Sequence, residues 1–168
     1  MKLNYFIPKP ETLEELKALY RKLAMINHPD RGGNDESMKD VNNEYDFLFP
    51  KLKNIHMNKD GVKYEKDTFE SVEFFKDLIA GLMKMDDIVV EVIGSFVWVS
   101  GDTLPYKNHL KDLKFLWHRD KSAWYLKPDN YKRYHSRNYS FNEIRDMYGS
   151  SGEFKSHGSI KLDDAESA

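Results

Sequence analysis

The chain has no cysteine among its 168 residues, which excludes disulfide bonds and zinc sites built from thiolates. It has no apolar run near the roughly 20 residues that cross a bilayer. The opening residues, MKLNYF, lack the apolar core of a secretory signal. With 40% hydrophobic and 32% charged residues, the composition predicts a cytoplasmic globular protein without a membrane segment.

Motifs for catalysis and metal binding are also missing. The six histidines are scattered without the spacing of metal ligands, and no zinc-protease helix, phosphate loop or nucleophile elbow occurs. Asp86 and Asp87 adjoin, but a solvated turn explains them. The sequence therefore predicts no enzyme activity, no metal and no cofactor.

The net charge of −2 is unevenly distributed. Residues 61–104 carry four basic and nine acidic groups, whereas residues 105–148 carry ten basic and five acidic groups. These two blocks could face each other, or each could face a partner.

What is present is a pair of helical patterns around one polar loop, over residues 13–48. Both patterns space their apolar residues by three, four and three positions, which is typical of one helix face. They consist of Leu13, Leu16, Tyr20 and Leu23, then Met38, Val41, Tyr45 and Leu48. Two equal stripes joined by a turn predict an antiparallel helical hairpin with the loop at its tip.

End signals agree with this hairpin. Thr12 and Glu15 form a capping box, and Pro29 should end the first helix. Asn34 or Asp35 can cap the second helix, and Pro50 should end it.

The first helix carries Lys17, Arg21 and Lys22, a group that we call the basic flank. A simple interpretation is a solvated face. The alternative is a docking surface, because the flank adjoins a stiff His28-Pro29-Asp30 tip.

The run YRKLA at Tyr20–Ala24, followed by HPDRGG at His28–Gly33, resembles the J domain of the DnaJ family over roughly residues 5–50. That resemblance implies binding to a DnaK-type chaperone and stimulation of its ATPase, with no bond chemistry in the J domain itself. Some larger proteins of that family have a zinc-bearing region, which the absence of cysteine excludes here. The residues that it implies in chaperone binding are Lys17, Tyr20, Arg21, Lys22, His28, Pro29, Asp30 and Arg31.

Within this hypothesis Asp30 would accept charged hydrogen bonds from a partner arginine, and the basic flank would meet an acidic surface. His28 would either contact the partner or only stabilise the loop. Tip and flank must then be accessible: a tip packed inward, or an arginine-lysine flank covered by the later half of the chain, would be grounds to abandon the role. The family's short first helix is reduced here, with only Tyr5–Ile7 before Pro8 and Pro10.

Beyond the hairpin we expect a linker over residues 51–66 and a helix over 68–85, capped by Asp67 and Glu70. Its wide apolar face predicts core packing, with a client-binding surface as the alternative. Residues 88–93 and 96–99 predict a β-hairpin around Gly94-Ser95. A short helix capped by Thr103 and two more strands, at 115–117 and 123–126, should follow. Ser140 and Glu143 form a capping box for a last helix that ends before Gly149.

The block after residue 87 is similar to a small tryptophan-containing module found in proteins of bacterial mobile elements. The similarity implies no activity. It rests on Gly94, Trp98, Ser100, Gly101, Thr103, Leu110, Lys111, Trp117, Lys121, Trp124 and Tyr125.

Interleaved cations and aromatic residues in this block favour a second hypothesis, binding of single-stranded nucleic acid, because cations contact phosphates and rings stack on bases. Core packing of the tryptophans is the competing explanation. The residues proposed for contact are Lys107, Lys111, Arg119, Lys121, Trp124, Lys132 and Arg133.

The prediction is an α+β protein: a helical-hairpin J domain at 1–52, a linker and connecting helix at 53–86, a ββαββ module with a terminal helix at 87–150, and a flexible tail at 151–168. We expect a co-chaperone whose C-terminal module selects the client or the location. The alternative is a nucleic-acid-binding accessory protein of a phage or mobile element.

Overall fold

The computed structural model describes residues 1–58, 60–128, 138–148 and 154–155. The fold is α+β, with a helical N-terminal part followed by a mainly antiparallel sheet, as predicted. The helices are α1 (Leu13–Asn27), α2 (Asp35–Leu52), α3 (Val72–Met83), α4 (Lys107–Asp112) and α5 (Phe141–Tyr148). The strands are β1 (Ile55–Met57), β2 (Lys63–Glu65), β3 (Ile88–Ile93), β4 (Phe96–Gly101), β5 (Leu116–His118), β6 (Ala123–Leu126) and β7 (Phe154–Lys155).

Helices α1 and α2 form the predicted hairpin. Thr12 caps α1 by accepting a hydrogen bond from the Glu15 amide, and Asn34 caps α2 by accepting one from Ser37. All members of the two apolar stripes are buried except Leu23, which is half-buried. Pro50 does not end α2, so that expectation is wrong. The proline ring removes only one hydrogen-bond donor, and it does so near the helix end. Leu52 beyond it is 7% exposed, and its burial favours continuing the helix through the last turn.

An extended N-terminal segment lies where the DnaJ resemblance implies a short first helix. The buried carboxylate of Glu44 on α2 accepts hydrogen bonds from the amides of Asn4 at 2.6 Å and of Tyr5 and Phe6 at 3.1 Å. Phe6 is completely buried as a result. One side chain thereby fixes three residues that have no hydrogen-bonded helix of their own.

Two expectations for residues 51–85 are corrected. The expected linker contains the hairpin β1–β2, in which His56 lies opposite Tyr64. Helix α3 begins at Val72 and is capped by Ser71, not by Asp67. Asp67 instead accepts from the Asn54 amide, and Glu70 forms an ion pair with Lys17. The buried face of α3 confirms core packing.

The large sheet has the strand order β5-β6-β4-β3-β7, antiparallel throughout. Gly94 has φ +57 in the predicted β3–β4 turn. The helical segment between β4 and β5 is a 3-10 turn at Leu104–Tyr106 followed by α4. Thr103 does not cap it; its hydroxyl accepts from the Trp124 indole at 3.2 Å.

Of the last described elements, α5 lies on the sheet face opposite α1–α3, and β7 lies at an edge of the sheet. Ser140 and Glu143 make the predicted reciprocal capping box of α5, at 2.8 and 3.3 Å. The predicted stop at Gly149 lies outside the described residues. Within the expected tail, Phe154 and Lys155 form β7 against Val90 and Val89, so the tail is regular there.

A single apolar cluster unites the two parts, from Phe6 through α1, α2 and α3 to Trp124 of β6. The acidic block of residues 61–104 faces both neighbours. Glu70 pairs with Lys17 of α1, whereas Glu91 pairs with Arg145 of α5 through two bonds of 2.7 Å.

Replacing Glu44 with Gln should lower the free energy of unfolding by about 2 kcal/mol, because an amide keeps one acceptor and turns a donor toward backbone N–H groups. Denaturant titration measures the effect. Asp40→Asn, an exposed carboxylate on the same helix, is the control and should change stability by less than about 0.5 kcal/mol. Equal stabilities for the two variants would contradict this role.

Candidate functional site

The tip of the α1–α2 hairpin is a tightly hydrogen-bonded loop. His28 closes α1 by donating its amide to the Ala24 carbonyl, and its own carbonyl accepts from Arg31 at 2.9 Å and Gly33 at 3.0 Å. Pro29 opens a 3-10 turn over Pro29–Arg31. The His28 ring caps that turn, since Nδ1 accepts from the Asp30 amide at 3.2 Å. The imidazole therefore does stabilise the loop.

Gly33 is needed for the loop to close on the helix. A Cβ at this position would lie 2.1 Å from the carbonyl carbon of Asn27, which is far inside van der Waals contact. Gly32 next to it has φ +85, a conformation that glycine adopts without steric cost. The two glycines thus let the chain reverse within one short turn.

Pro29 and Asp30 point outward at this tip. Both residues are exposed, and the Asp30 side chain is 52% exposed. His28 is half-buried and lines a cleft of about 290 Å³, together with Tyr20 and Met38 on the hairpin side. The opposite wall is α3, through Lys76, Asp77, Ile79 and Ala80. Solvent reaches Pro29 and Asp30 at the tip, but α3 lies over the adjoining part of the hairpin.

The basic flank differs from expectation. Lys17 is 5% exposed and Arg21 is completely buried, so the prediction that both face solvent is wrong. Lys17 forms an ion pair with Glu70, and the Arg21 Nη1 donates to the Val90 carbonyl of β3 at 2.6 Å. Burial lowers the pKa of Arg21 to about 10, an effect that the nearby Glu91 carboxylate partly offsets.

Lys17 and Arg21 are buried because they pair with residues far away in the sequence, which the local pattern of the helix cannot reveal. The Lys17 and Glu70 side chains are only 7% and 10% exposed. Removing one partner of such a buried pair leaves an uncompensated charge, at a cost of about 3–5 kcal/mol. The later part of the chain thus supplies the carboxylate and the carbonyl that take the place of water around the two cations.

Of three further residues that the DnaJ resemblance implies in docking, two have buried side chains and one is exposed. Tyr20 is 2% exposed, and its hydroxyl donates a hydrogen bond to Asn42 at 2.9 Å. Its ring lies 6.0 Å from the Phe75 ring of α3. Burial raises the pKa of the Tyr20 phenol. The Arg31 side chain, 6% exposed, pairs with Asp86 at 3.2 Å and donates to the Met85 carbonyl at 2.6 Å. Lys22 is exposed.

His56 is a buried anchor that sequence reasoning left without a role. Its Nδ1 lies 2.6 Å from Glu14 of α1, and its Nε2 lies 3.1 Å from the Lys66 carbonyl and 3.2 Å from the Thr68 hydroxyl. It thereby ties β1 to α1 and to the segment that leads into Glu70. No local signal marks it, because Glu14 is 42 positions away.

The residues proposed for nucleic-acid contact differ in their exposure. Trp124 is 5% exposed and bonded to Thr103, so its expected use for base stacking is wrong. Lys107, Lys111 and Arg119 are exposed. Lys121 is half-buried, and its ammonium donates to Asn138 at 2.9 Å. Lys132 and Arg133 lie outside the described residues.

Within residues 1–58, 60–128, 138–148 and 154–155, no group of three or more histidine, aspartate or glutamate side chains is arranged to hold a metal ion. Over those same residues, the helices are too short or too polar to span a membrane.

Comparison with known proteins confirms the resemblance of the N-terminal region to the DnaJ family. Chaperone protein dnaJ A6 of Oryza sativa is 33% identical over 82 residues, which are 45% of this chain and 20% of that protein. DnaJ protein homolog 2 of Allium porrum is 45% identical over 42 residues, 25% of this chain and 10% of that protein. Chaperone protein DnaJ 2 of Synechocystis is 41% identical over 58 residues, 30% of this chain and 19% of that protein.

The chain therefore spans no more than about a fifth of the length of these relatives. No family model and no solved structure matches it. These relatives match the N-terminal region, so the resemblance of the C-terminal module to mobile-element proteins stays a prediction.

The His56–Glu14 pair predicts that stability depends on pH. The hydrogen bond to Glu14 is the main cause that raises the pKa of His56, against the opposing effect of burial. A raised pKa in the folded state means that the stabilisation is complete below the ordinary value of 6.5 and is lost as pH rises through the folded pKa. The free energy of unfolding should therefore fall as pH rises above the ordinary value of 6.5.

His56→Gln should flatten this dependence, measured by denaturant titration at several pH values. His109→Gln, which changes an exposed histidine of α4, is the control and should retain it. If the His56→Gln protein loses stability with pH as steeply as the original, the ion pair does not carry the effect.

Proposed function

We propose that this chain is a J-domain co-chaperone, which binds a DnaK-type chaperone in its ATP state and stimulates ATP hydrolysis by that partner. The chain itself breaks no bond in this role. The hydrogen-bonded tip, in which Pro29 and Asp30 are exposed and His28 is half-buried, carries the proposal. Similarity of the N-terminal region to DnaJ chaperones supports it.

The chemistry of the tip suits a transient protein contact. Proline and the hydrogen bonds of His28 restrict the loop before binding, so little conformational entropy remains to be lost on docking. The half-exposed Asp30 carboxylate can accept paired hydrogen bonds from an arginine of the partner, and such charged bonds are roughly twice as strong as neutral ones. Lys22 is the accessible cation of the basic flank and would steer an acidic partner.

The C-terminal module would select the client or the location of the complex, and the cytoplasm remains the expected compartment. Its exposed features are compatible with a binding role. Trp117 on the edge strand β5 is 48% exposed, and Leu116 beside it is 45% exposed.

The direct test is steady-state ATP hydrolysis by a purified DnaK-type chaperone from the same organism. The full chain should raise the rate, and His28→Gln should reduce the stimulation at least about tenfold, because the tip loses the ring that caps its 3-10 turn and orients Asp30. His109→Gln again serves as the matched control and should stimulate like the original chain. A chain that never stimulates a cognate chaperone would refute the co-chaperone role.

Nucleic-acid binding by the module is the second candidate, favoured by the exposed Trp117 close to exposed cations such as Arg119. Fluorescence anisotropy with single-stranded oligonucleotides at low salt tests it, since phosphate contacts weaken steeply as salt rises. Binding that survives His28→Gln would support it, and no binding at low salt would end it.

A further inference from the structure

One continuous segment of the chain covers the surface on which the J-like hairpin would dock. This segment, residues 70–90, comprises Glu70, helix α3, the turn after it and the start of β3, and we call it the clasp. Its helix packs against both α1 and α2, with Phe75 lying 6.0 Å from the Tyr20 ring and 6.3 Å from the Tyr45 ring. Lys76 adds an ion pair to Asp46 of α2 at 2.7 Å.

The clasp meets the cations of the hairpin with acidic and carbonyl groups. Glu70 pairs with Lys17, the Val90 carbonyl accepts from Arg21, and Asp86 pairs with Arg31. These are three of the basic residues that the DnaJ resemblance assigns to partner binding. The clasp therefore offers them the same chemistry that an acidic partner surface would offer.

The two uses of these cations exclude each other. Arg21 is 0% exposed and Lys17 is 5% exposed, so neither side chain can reach another protein while the clasp is in place. The tip residues Pro29 and Asp30 remain exposed. A partner can consequently contact the tip first, but it gains the buried cations only if the clasp leaves them.

We propose that the clasp is an intramolecular competitor of the DnaK-type partner, which keeps the docking face closed until partner binding displaces Glu70, α3 and β3 from it. This inference rests on the proposed function and adds a regulatory step to it. A partner that prefers the open form shifts the population toward that form only by the difference in its affinity for the two forms. The closed chain is then a weaker stimulator than its docking residues alone would make it.

Weakening the clasp should strengthen the co-chaperone. Glu70→Gln removes the carboxylate partner of the buried Lys17 without changing any residue assigned to docking. The concentration of chain that gives half-maximal ATPase stimulation should fall about tenfold or more, because an unpaired buried ammonium favours the open form. Thermal unfolding shows whether the variant still folds.

Asp86→Asn provides a second variant that cannot unfold the core, since the Asp86 side chain is 62% exposed. Its expected effect is smaller, about two- to threefold, as for an ion pair partly screened by solvent. Glu73→Gln is the matched control, because Glu73 is an exposed carboxylate within the clasp, on α3. It should leave the half-maximal concentration unchanged.

The outcomes separate the clasp from the co-chaperone role. Equal half-maximal concentrations for the original chain, Glu70→Gln and Asp86→Asn, with stimulation still dependent on His28, would overturn the clasp and leave the role intact. No stimulation by any of these chains would overturn both. Lower concentrations for Glu70→Gln and Asp86→Asn, but not for Glu73→Gln, would support the clasp.

Discussion

Two buried cations on α1 hold the halves of this protein together. Lys17 and Arg21 lie under the segment that connects the helical hairpin to the sheet, each with a charged or carbonyl partner from that segment. A buried cation without a partner is strongly unfavourable, so these contacts fix how the hairpin and the sheet meet. Arg21 also feels the carboxylate of Glu91, which is itself held by Arg145 of α5. Charge links thus run from α1 across β3 to the last helix.

Local sequence signals predicted most of the fold. The stripes of α1 and α2, the β3–β4 turn at Gly94 and the capping box of Ser140 and Glu143 all depend on residues within a few positions of one another. Several of the failures involve partners far apart in the chain. Asp67 and Glu70 have the spacing of a helix cap, but distant partners, Asn54 and Lys17, engage them instead.

The candidate site shows the same division. The tip could be predicted because His28, Pro29 and Gly33 act within one loop. The burial of Arg21 could not, because its hydrogen-bond acceptor lies 69 positions later. A basic residue on a helix is usually solvated, and only the three-dimensional structure reveals which basic residues find a partner. Trp124 differs from the prediction in the opposite way, because the sequence suggests base stacking for a residue that the structure places in the core.

Under the proposed function, an accessible tip accompanies a covered basic flank. In that proposal partner binding has two steps: first contact at the tip, then exchange of the flank's internal charge partners for those of the chaperone. A flank that solvent does not reach would otherwise argue against a co-chaperone role.

Amide hydrogen exchange of the full chain, with and without an ATP-bound DnaK-type chaperone, tests this account most directly. The account predicts slower exchange at residues 28–33 when the chaperone is present, and faster exchange within Val72–Met83 at the same time. Unchanged exchange at residues 28–33 under saturating chaperone would contradict it.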